Sequence, residues 1–236
     1  RESPEVAVTA DPRNSKPIGR GAGINPPNRF EQVRTEDDWE HLDGAEIQPD
    51  VEQLPDARRV PTLFMPDRSQ SLITQNDSPD VPFRYSLNPY RGCEHGCAYC
   101  YARPGHEYLG MNAGLDFETR ILVKHDAPAL LRAELAHPRW TGESITMSGV
   151  TDCYQPAERK FRLTRGCLEV MLEAQQAVGI VTKNALVARD LDLLAPLAAK
   201  RLVQVYVSIT SLDDTLAHKL EPRTATPQAR LRTVRA

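Results

Sequence analysis

Three cysteines, Cys93, Cys97 and Cys100, lie within eight residues of one another at C-x3-C-x2-C spacing. Three thiols this close cannot all pair as disulfides, because one would be left over. A loop of this length can instead give one sulfur to each of three irons of a cubane cluster. Such clusters are usually held by four Cys thiolates, so a three-cysteine loop leaves the fourth iron open to a small ligand. The spacing therefore favours a catalytic cluster over an electron-transfer cluster.

A zinc site is the alternative for the same residues. With His95 between them, the three cysteines could form a Cys3His site. Zinc sites usually draw their ligands from two separated pairs, and no second pair follows downstream. We also expect the backbone to keep His95 from reaching the same ion as Cys93 and Cys97. The cluster is preferred, and a non-catalytic iron–sulfur or zinc module, structural or sensory, is the alternative function.

The residues around the cysteines carry a family resemblance. Residues 88–103 read N-P-Y-R-G-C-x-H-x-C-x-Y-C-Y-A-R, with Tyr99 just before the third cysteine. This pattern resembles the cluster loop of the radical S-adenosylmethionine (SAM) superfamily, and in particular the branch that includes spore photoproduct lyase. The likeness extends over roughly residues 60–236.

The resemblance implies a [4Fe-4S] cluster on Cys93, Cys97 and Cys100, with SAM chelated by the open iron. Reductive cleavage of SAM would then give a 5′-deoxyadenosyl radical. An electron donor of the flavodoxin or ferredoxin type is the implied partner. A nucleic-acid lesion or modified base as substrate follows only from analogy with the lyase, and fold-level analogy is a weak warrant for function.

The resemblance also assigns contacts to SAM. Tyr99 is expected against the adenine, with plain packing as its alternative. Lys183 and Ser208 are expected near the carboxylate, which suits Lys because its ammonium is a compact cationic donor; a surface position is the alternative for Lys183. In the polar loop after the second predicted strand, Thr151 and Asp152 are expected to accept hydrogen bonds from SAM or to order the loop.

Two departures from the family pattern limit what the resemblance implies. The Gly-Gly-Glu that many members carry after the second strand is missing, which removes a usual contact to the SAM amino group. The lyase has a hydrogen-donor cysteine three residues before an Asp, and with that Asp aligned on Asp152 its place is taken by Gly149. The thymine-dimer reaction therefore does not carry over. Cys153 and Cys167 are expected by default to be buried or idle free thiols, and Cys153 is the candidate hydrogen-atom donor.

Charged side chains also flank the cysteines and occupy the end of the sequence. His95, Arg91 and Arg103 near the sulfurs would raise the reduction potential of a cluster, with a solvated rim as the alternative. A charged helix face or contact with phosphate would explain the four arginines near the end, Arg223, Arg230, Arg232 and Arg235.

Length and charge set broad limits. The 236 residues suit one large domain or one domain with an extension, and the net charge of −3 does not favour a general nucleic-acid binder. The sequence has no stretch of about 18 apolar residues, so no membrane span is predicted. Its first residues lack a signal-peptide pattern. Five cysteines, three of them clustered, fit the reducing cytoplasm.

The first third of the sequence differs from the rest. Residues 1–82 carry eleven of the nineteen prolines, which predicts a mostly irregular extension before a core at residues 83–236. Residues 15–30 have the Gly, Pro and Asn content of a flexible linker, although relatives of this branch have a similar segment, which indicates a strap docked on the core. Trp39 is a candidate anchor.

Strand–helix alternation over residues 83–236 predicts an α/β fold with a parallel sheet and right-handed crossovers. Asp126 is the expected N-cap of the first helix and Gly179 the expected C-cap of the second. The resemblance implies an open, TIM-like (β/α)6 barrel, of which about four units lie in this sequence, so its C-terminal part is expected to be missing. Chemistry in such folds gathers at the carboxyl ends of the strands. Strands are expected at 83–88, 143–148, 180–183 and 202–210, and helices near 126–136, 164–177, 190–200 and 227–234.

Overall fold

The computed structural model describes residues 19–30 and 60–236, so the expected anchor Trp39 and residues 15–18 of the expected strap lie outside the described residues. A five-stranded sheet forms the centre of the fold, in the order β2 (Ile73–Gln75), β3 (Tyr85–Leu87), β6 (Ile145–Met147), β7 (Val178–Thr182) and β8 (Val203–Val207). Its edge strand β2 is antiparallel to β3. The parallel strands are those that the alternation predicts: β3, β6, β7 and β8.

A second, three-stranded sheet was not predicted. It has the order β1-β5-β4, with β1 (Leu63–Pro66) parallel to β5 (Arg120–Val123), and β4 (Tyr90–Arg91) antiparallel to β5. Strands β1 and β2 come from the segment expected to be mostly irregular, and both pair with strands of the core. The division at residue 82 stays a prediction, but these two strands belong to the sheets.

The four expected helices correspond to α2 (Ala127–Leu135), α4 (Leu163–Ala174), α5 (Leu191–Ala199) and α7 (Pro227–Arg235), and the other three helices were not predicted. Two of the expected helices differ from the prediction at their caps. Helix α2 begins after Asp126, whose side chain makes no capping hydrogen bond. The expected C-cap at Gly179 is wrong, because α4 ends earlier, at Gln175 with φ 54°, and Gly179 lies inside β7. A left-handed Gln gives no compositional signal. The three helices that were not predicted are α1 (Leu115–Thr119), α3 (Glu158–Phe161) and α6 (Asp214–Leu220).

Two 3-10 helices, Arg103–Leu109 and Ala185–Asp190, complete the described part of the chain. No helix in residues 19–30 and 60–236 has the length and apolar character needed to cross a bilayer.

The main core lies between the five-stranded sheet and helices α2, α4 and α5. Its fully buried members include Leu87, Met147, Ile180, Leu168 and Met171. Each side chain of this size contributes roughly 1.5–3 kcal/mol when it leaves water. This packing fixes the parallel strands, so their carboxyl ends form a stable edge on which loops can be placed.

A buried charge network joins the helices behind that edge. Asp190, with no exposed surface, accepts hydrogen bonds from Arg165 Nη1 at 2.9 Å, Arg189 Nη2 at 2.7 Å and the Tyr154 hydroxyl at 3.1 Å. Burial alone would raise the pKa of Asp190, but the bonds from Arg189 and Arg165 outweigh it and lower that pKa. The ionised carboxylate therefore stabilises the fold.

Replacing Asp190 with Asn should lower the free energy of unfolding at pH 7 by about 3 kcal/mol, because two guanidinium groups lose a buried partner. Since the folded-state pKa lies below the unfolded value, this stabilisation is present at neutral pH and is lost as the pH falls below about 4. Urea unfolding at pH 7 and pH 3 measures both effects. The exposed Asp192→Asn is the control, with a small change at pH 7. If the free energy of unfolding of Asp190→Asn depended on pH as that of the wild type does, the stabilising role of the Asp190 charge would be contradicted.

Candidate functional site

The cysteine loop follows β3 and the short β4, at the carboxyl edge of the parallel sheet. Its residues meet those that follow the neighbouring strands. His95 contacts Asp152, after β6, and Asn184, after β7. The backbone carbonyl of Tyr90, just before the loop, accepts a hydrogen bond from Thr151. The loop therefore lies at the edge where the parallel strands end.

The backbone of the loop is held from two sides. Cys93 N donates to the carbonyl of Phe117 at 2.9 Å. Gln155, which has no exposed surface, donates to Gly92 O at 3.0 Å and accepts from Glu94 N at 2.9 Å. Gly92 has φ 79°, and an added Cβ would come within 2.9 Å of the Phe117 carbonyl. Glycine is therefore required at the entrance to the loop.

The three cysteines are free thiols in a largely buried setting. Cys93 and Cys97 are 7% and 8% exposed, and Cys100 is half-buried. Burial raises the pKa of Cys97 to about 12. Within residues 19–30 and 60–236, no three His, Cys, Asp or Glu side chains are grouped to hold a single metal ion. A cubane takes one thiolate on each of three irons, so it does not require three sulfurs to meet at one point.

Both ring nitrogens of His95 contact residues other than the cysteines. It is 1% exposed, its Nδ1 lies 3.3 Å from Asp152 Oδ2, and its Nε2 lies 3.2 Å from Asn184 Nδ2. Asn184 Oδ1 accepts from the amide of Leu186, which leaves its Nδ2 as the donor to the ring. Both ring nitrogens are therefore occupied, and a Cys3His zinc site would have to break these bonds.

Asp152 connects three loops. Its Oδ1 accepts from Tyr154 N at 2.9 Å and Thr182 Oγ1 at 2.8 Å, and its Oδ2 accepts from Lys183 N at 2.7 Å and faces His95. Burial would raise the pKa of Asp152, but His95 and these amides outweigh it and lower that pKa. Of the two expected roles, these contacts support ordering of the loop.

Thr151 has a similar position. It is 4% exposed, its hydroxyl donates to the carbonyl of Tyr90 at 2.9 Å, and its amide donates to Asn88 Oδ1 at 3.2 Å. These bonds fix the loop after β6 against the entrance to the cysteine loop. A contact between Thr151 or Asp152 and SAM stays a prediction.

The remaining expected SAM residues lie near the ends of β7 and β8. Lys183 directly follows β7, and its Nζ is 6.0 Å from the centre of the Tyr99 ring. Ser208 directly follows β8, and its amide donates to Thr182 O at 2.8 Å, so it lies beside Lys183. The half-exposed Tyr99 bonds through its hydroxyl to Glu221 and Thr210. The structure therefore brings Tyr99, Lys183 and Ser208 to one side of the cysteine loop.

The two other cysteines lie in the core. Cys153 and Cys167 have no exposed surface, and burial raises the pKa of each thiol. Two hydrogen bonds fix the backbone of Cys153. Its amide donates to Ser148 Oγ at 2.8 Å, and its carbonyl accepts from Thr164 Oγ1 at 2.6 Å. Full burial favours a packing role for Cys153 over hydrogen-atom donation.

Residues 19–30 form a strap that docks on the cysteine loop. Arg20 N and Gly21 N donate to the Glu118 carboxylate at 2.6 and 3.1 Å, and the Arg20 guanidinium bonds to the Glu118 carbonyl and to Thr62. A Cβ added at Gly21 would overlap the carbonyl of Gly96. For these residues the docked strap is correct and the flexible linker is not, because glycine here permits a close approach.

Two buried carboxylates link this strap to the loop. Glu118 also accepts from Arg103 at 2.5 Å, and Arg103 donates to the carbonyl of Cys97 at 2.9 Å. Glu94 accepts from Arg223 at 3.0 Å and lies 3.8 Å from Arg20. Arg103 and Arg223 therefore hold the loop. Glu94 and Glu118 were not expected from the sequence, where nothing distinguishes them from surface acids.

The remaining arginines singled out in the sequence divide into three groups. Arg230 is 1% exposed and pairs with Glu221 at 2.6 Å, so it is a structural residue. Arg232 and Arg235 are exposed on α7, as a charged helix face would be. Arg91 pairs with Asp67 at 2.8 Å.

Comparison with known proteins identifies relatives of the sequence. The family model described as the Radical SAM superfamily matches residues 87–236. An uncharacterized protein of Mycobacterium tuberculosis is 44% identical over 156 residues, which are 66% of this chain and 46% of that protein. An uncharacterized protein of Methanocaldococcus jannaschii is 29% identical over 148 residues, 63% of this chain and 52% of that protein. The chain spans about half the length of the curated relatives it matches.

A solved structure has a similar fold. A variant of spore photoproduct lyase, with bound AdoMet and dinucleoside spore photoproduct, matches with a TM-score of 0.52 and 18% identity. The match covers 73% of this chain and 46% of the other. At this level of identity the likeness concerns the fold alone, and it confirms the expected partial TIM-like barrel.

Proposed function

The chain belongs to the radical SAM superfamily, and on that premise we propose that it binds a [4Fe-4S] cluster on Cys93, Cys97 and Cys100 and cleaves SAM reductively. When bound, the reduced cluster supplies the electron that breaks a carbon–sulfur bond of SAM and gives a 5′-deoxyadenosyl radical. The observation that carries the proposal is the three-cysteine loop, held at the carboxyl edge of a parallel sheet. The protein binds and orients the reactants, and the cofactors supply the chemistry.

The surroundings of the loop support this function because they fix the loop backbone. Gln155, Arg103 and the carbonyl of Phe117 hold it through hydrogen bonds. A binding site held by its supporting residues avoids the cost of ordering it at the moment of binding. The hydrogen bonds around the sulfurs also contribute to the reduction potential of a bound cluster.

We place SAM on the side of the loop that carries Tyr99, Lys183 and Ser208. Among the described residues, the Lys183 ammonium donates no hydrogen bond, and a carboxylate is a suitable acceptor for it. Tyr99 presents a half-exposed ring to the adenine. Thr151 and Asp152 act on SAM indirectly in this proposal, by ordering the loop after β6.

We also propose a substrate class, an electron donor and a cellular compartment. The structural neighbour has a bound dinucleoside spore photoproduct, which supports a nucleic-acid lesion or modified base as the substrate class. A ferredoxin or flavodoxin would supply the electron, and a reducing cytoplasm would keep the five free cysteines reduced.

Anaerobic reconstitution tests the proposed function. Protein loaded with iron and sulfide and then reduced should convert SAM to 5′-deoxyadenosine and methionine, as measured by mass spectrometry. The paramagnetic resonance spectrum of the reduced cluster should change when SAM is added. A protein that takes up zinc but never iron with sulfide would instead be the non-catalytic module.

The strap provides a further prediction. Gly21→Ala should lower the free energy of unfolding by about 1–3 kcal/mol, because the new methyl group overlaps the Gly96 carbonyl. It should also speed the loss of the cluster in air, followed by the decay of its visible absorption. Gly23→Ala is the matched control, since an added Cβ there meets nothing within 4 Å. Equal behaviour of the two variants would show that the strap does not protect the loop.

A further inference from the structure

A cavity of about 350 Å³ lies beside the cysteine loop. Gly92 and Ala102 of the loop form part of its wall, and Asn88 and Thr151 come from the loops after β3 and β6. None of the residues to which we assign SAM contacts on β7 and β8 lines it. The cavity therefore neighbours the cysteine loop without being the place proposed for SAM.

Lys124, directly after β5, is the unusual residue of this wall. It is 8% exposed, and within the described part of the chain its ammonium makes no hydrogen bond and no ion pair. Burial and the nearby Arg91 lower the pKa of Lys124, and the charges of Asp67 and Glu134, which act in the opposite direction, do not offset them. A buried cation without a hydrogen-bonded partner costs free energy. Such a group is retained most readily where a ligand supplies the missing negative charge.

Arg91 and Asn88 add further donors to this wall. Arg91 is held by Asp67 at 2.8 Å and by Ser69 Oγ at 2.8 Å, and its remaining N–H groups are left for a ligand. Asn88 accepts two backbone amides through Oδ1, so its NH2 group makes no hydrogen bond among the described residues. Among the residues that the structure describes, no Asp or Glu lines the cavity. Its chemistry is that of an anion site.

We infer that this cavity binds a phosphate group between Lys124, Arg91 and Asn88. The donors come from three separate elements, which suits the tetrahedral oxygens of a phosphate better than the two coplanar oxygens of a carboxylate. The exposed ring of Tyr108 also lines the cavity and can stack on an attached flat group. That the phosphate belongs to the substrate rests on the proposed function, because the shared wall would then place the substrate beside the reacting centre.

Calorimetric titration of the full chain, without cluster or SAM, tests the phosphate site. Inorganic phosphate and adenosine monophosphate are the probes, and acetate is the carboxylate comparison. Lys124→Met should weaken phosphate binding about tenfold or more, the usual effect of removing a charged hydrogen-bond donor. Lys219→Met, on an exposed position of α6, removes the same charge and should bind as the wild type does.

Three outcomes would overturn the inference. The first is an equal affinity for phosphate in the wild type and in Lys124→Met. The second is a loss of phosphate affinity in Lys219→Met as large as that in Lys124→Met. The third is a binding of acetate as tight as that of phosphate. Because no cluster or SAM is present, a failure of SAM cleavage would leave this test standing, and a failure here would leave the proposed function standing.

Thermal unfolding separates a ligand-binding lysine from a structural one. In phosphate-free buffer, Lys124→Met should keep or raise the Tm, since it removes a buried cation that has no partner in the described residues. Phosphate should raise the Tm of the wild type and not that of the variant, because only a state that binds ligand is stabilised by it. A Tm that falls by several degrees in Lys124→Met without phosphate would show that the ammonium has a structural partner, and the inference would be wrong.

Discussion

Replacement of any one of Cys93, Cys97 and Cys100 by Ala is expected to abolish the cluster and, with it, all SAM cleavage. Each thiolate holds a different iron in the proposed centre, so two cysteines leave two irons without protein ligands. The remaining two thiolates would not hold the cluster, since one more iron than in the wild type lacks a protein ligand. Iron and sulfide content, the resonance spectrum of the reduced protein and 5′-deoxyadenosine formation should all fall to background.

The control for this prediction is Cys167→Ala. Cys167 lies in α4, fully buried in the main core and away from the loop. This variant is expected to lose some stability through the small cavity it creates, but to keep its iron and its SAM cleavage. The centre would be assigned wrongly if one of the three loop variants retained full iron content, or if Cys167→Ala lost the cluster as they do.

Asp152→Ala is expected to lower the free energy of unfolding by about 3–5 kcal/mol, because several buried donors lose their acceptor and each costs about 1–3 kcal/mol. His95 would lose its carboxylate, and the amide of Lys183 and the hydroxyl of Thr182 would lose their acceptor. The effect should be present in protein without cluster or SAM. Urea unfolding of that form measures it.

This measurement also decides between the two roles expected for Asp152. If the carboxylate only contacted SAM, the cofactor-free variant would be about as stable as the wild type, and SAM affinity alone would fall. Glu173→Ala, which removes an exposed partner of Arg132, is the surface control and should change stability by less than about 0.5 kcal/mol. A loss in Asp152→Ala no larger than in the control would contradict the ordering role.

The sequence predicted the parallel sheet because its strands are separated by helices with recognisable periodicity. The second sheet was missed for local reasons. Strand β4 is only Tyr90–Arg91, and it lies inside the cysteine motif. Strand β5 begins at Arg120, directly after α1 ends at Thr119, with no turn residue between them. Short strands of this kind are set by their partners rather than by their own pattern.

The candidate site divides in the same way. The cysteines were predicted because a C-x3-C-x2-C spacing is itself a chemical signal. The residues that hold the loop were not, because their contacts join distant parts of the chain: Arg20 and Glu118 are 98 positions apart, and Glu94 and Arg223 are 129 apart. Asp152 was noticed for its polar loop, but its contacts with Thr182 and Lys183 depend on how β6 and β7 pair.

The two long-range pairings through Glu118 and Glu94 have a consequence for the order of assembly. The bond between Glu94 and Arg223 cannot form until the ribosome has released residues well past β8. Contacts of such high sequence separation form late in folding, since they require the closure of long loops. The proposed cluster would therefore be inserted only after the chain has been synthesised beyond Arg223.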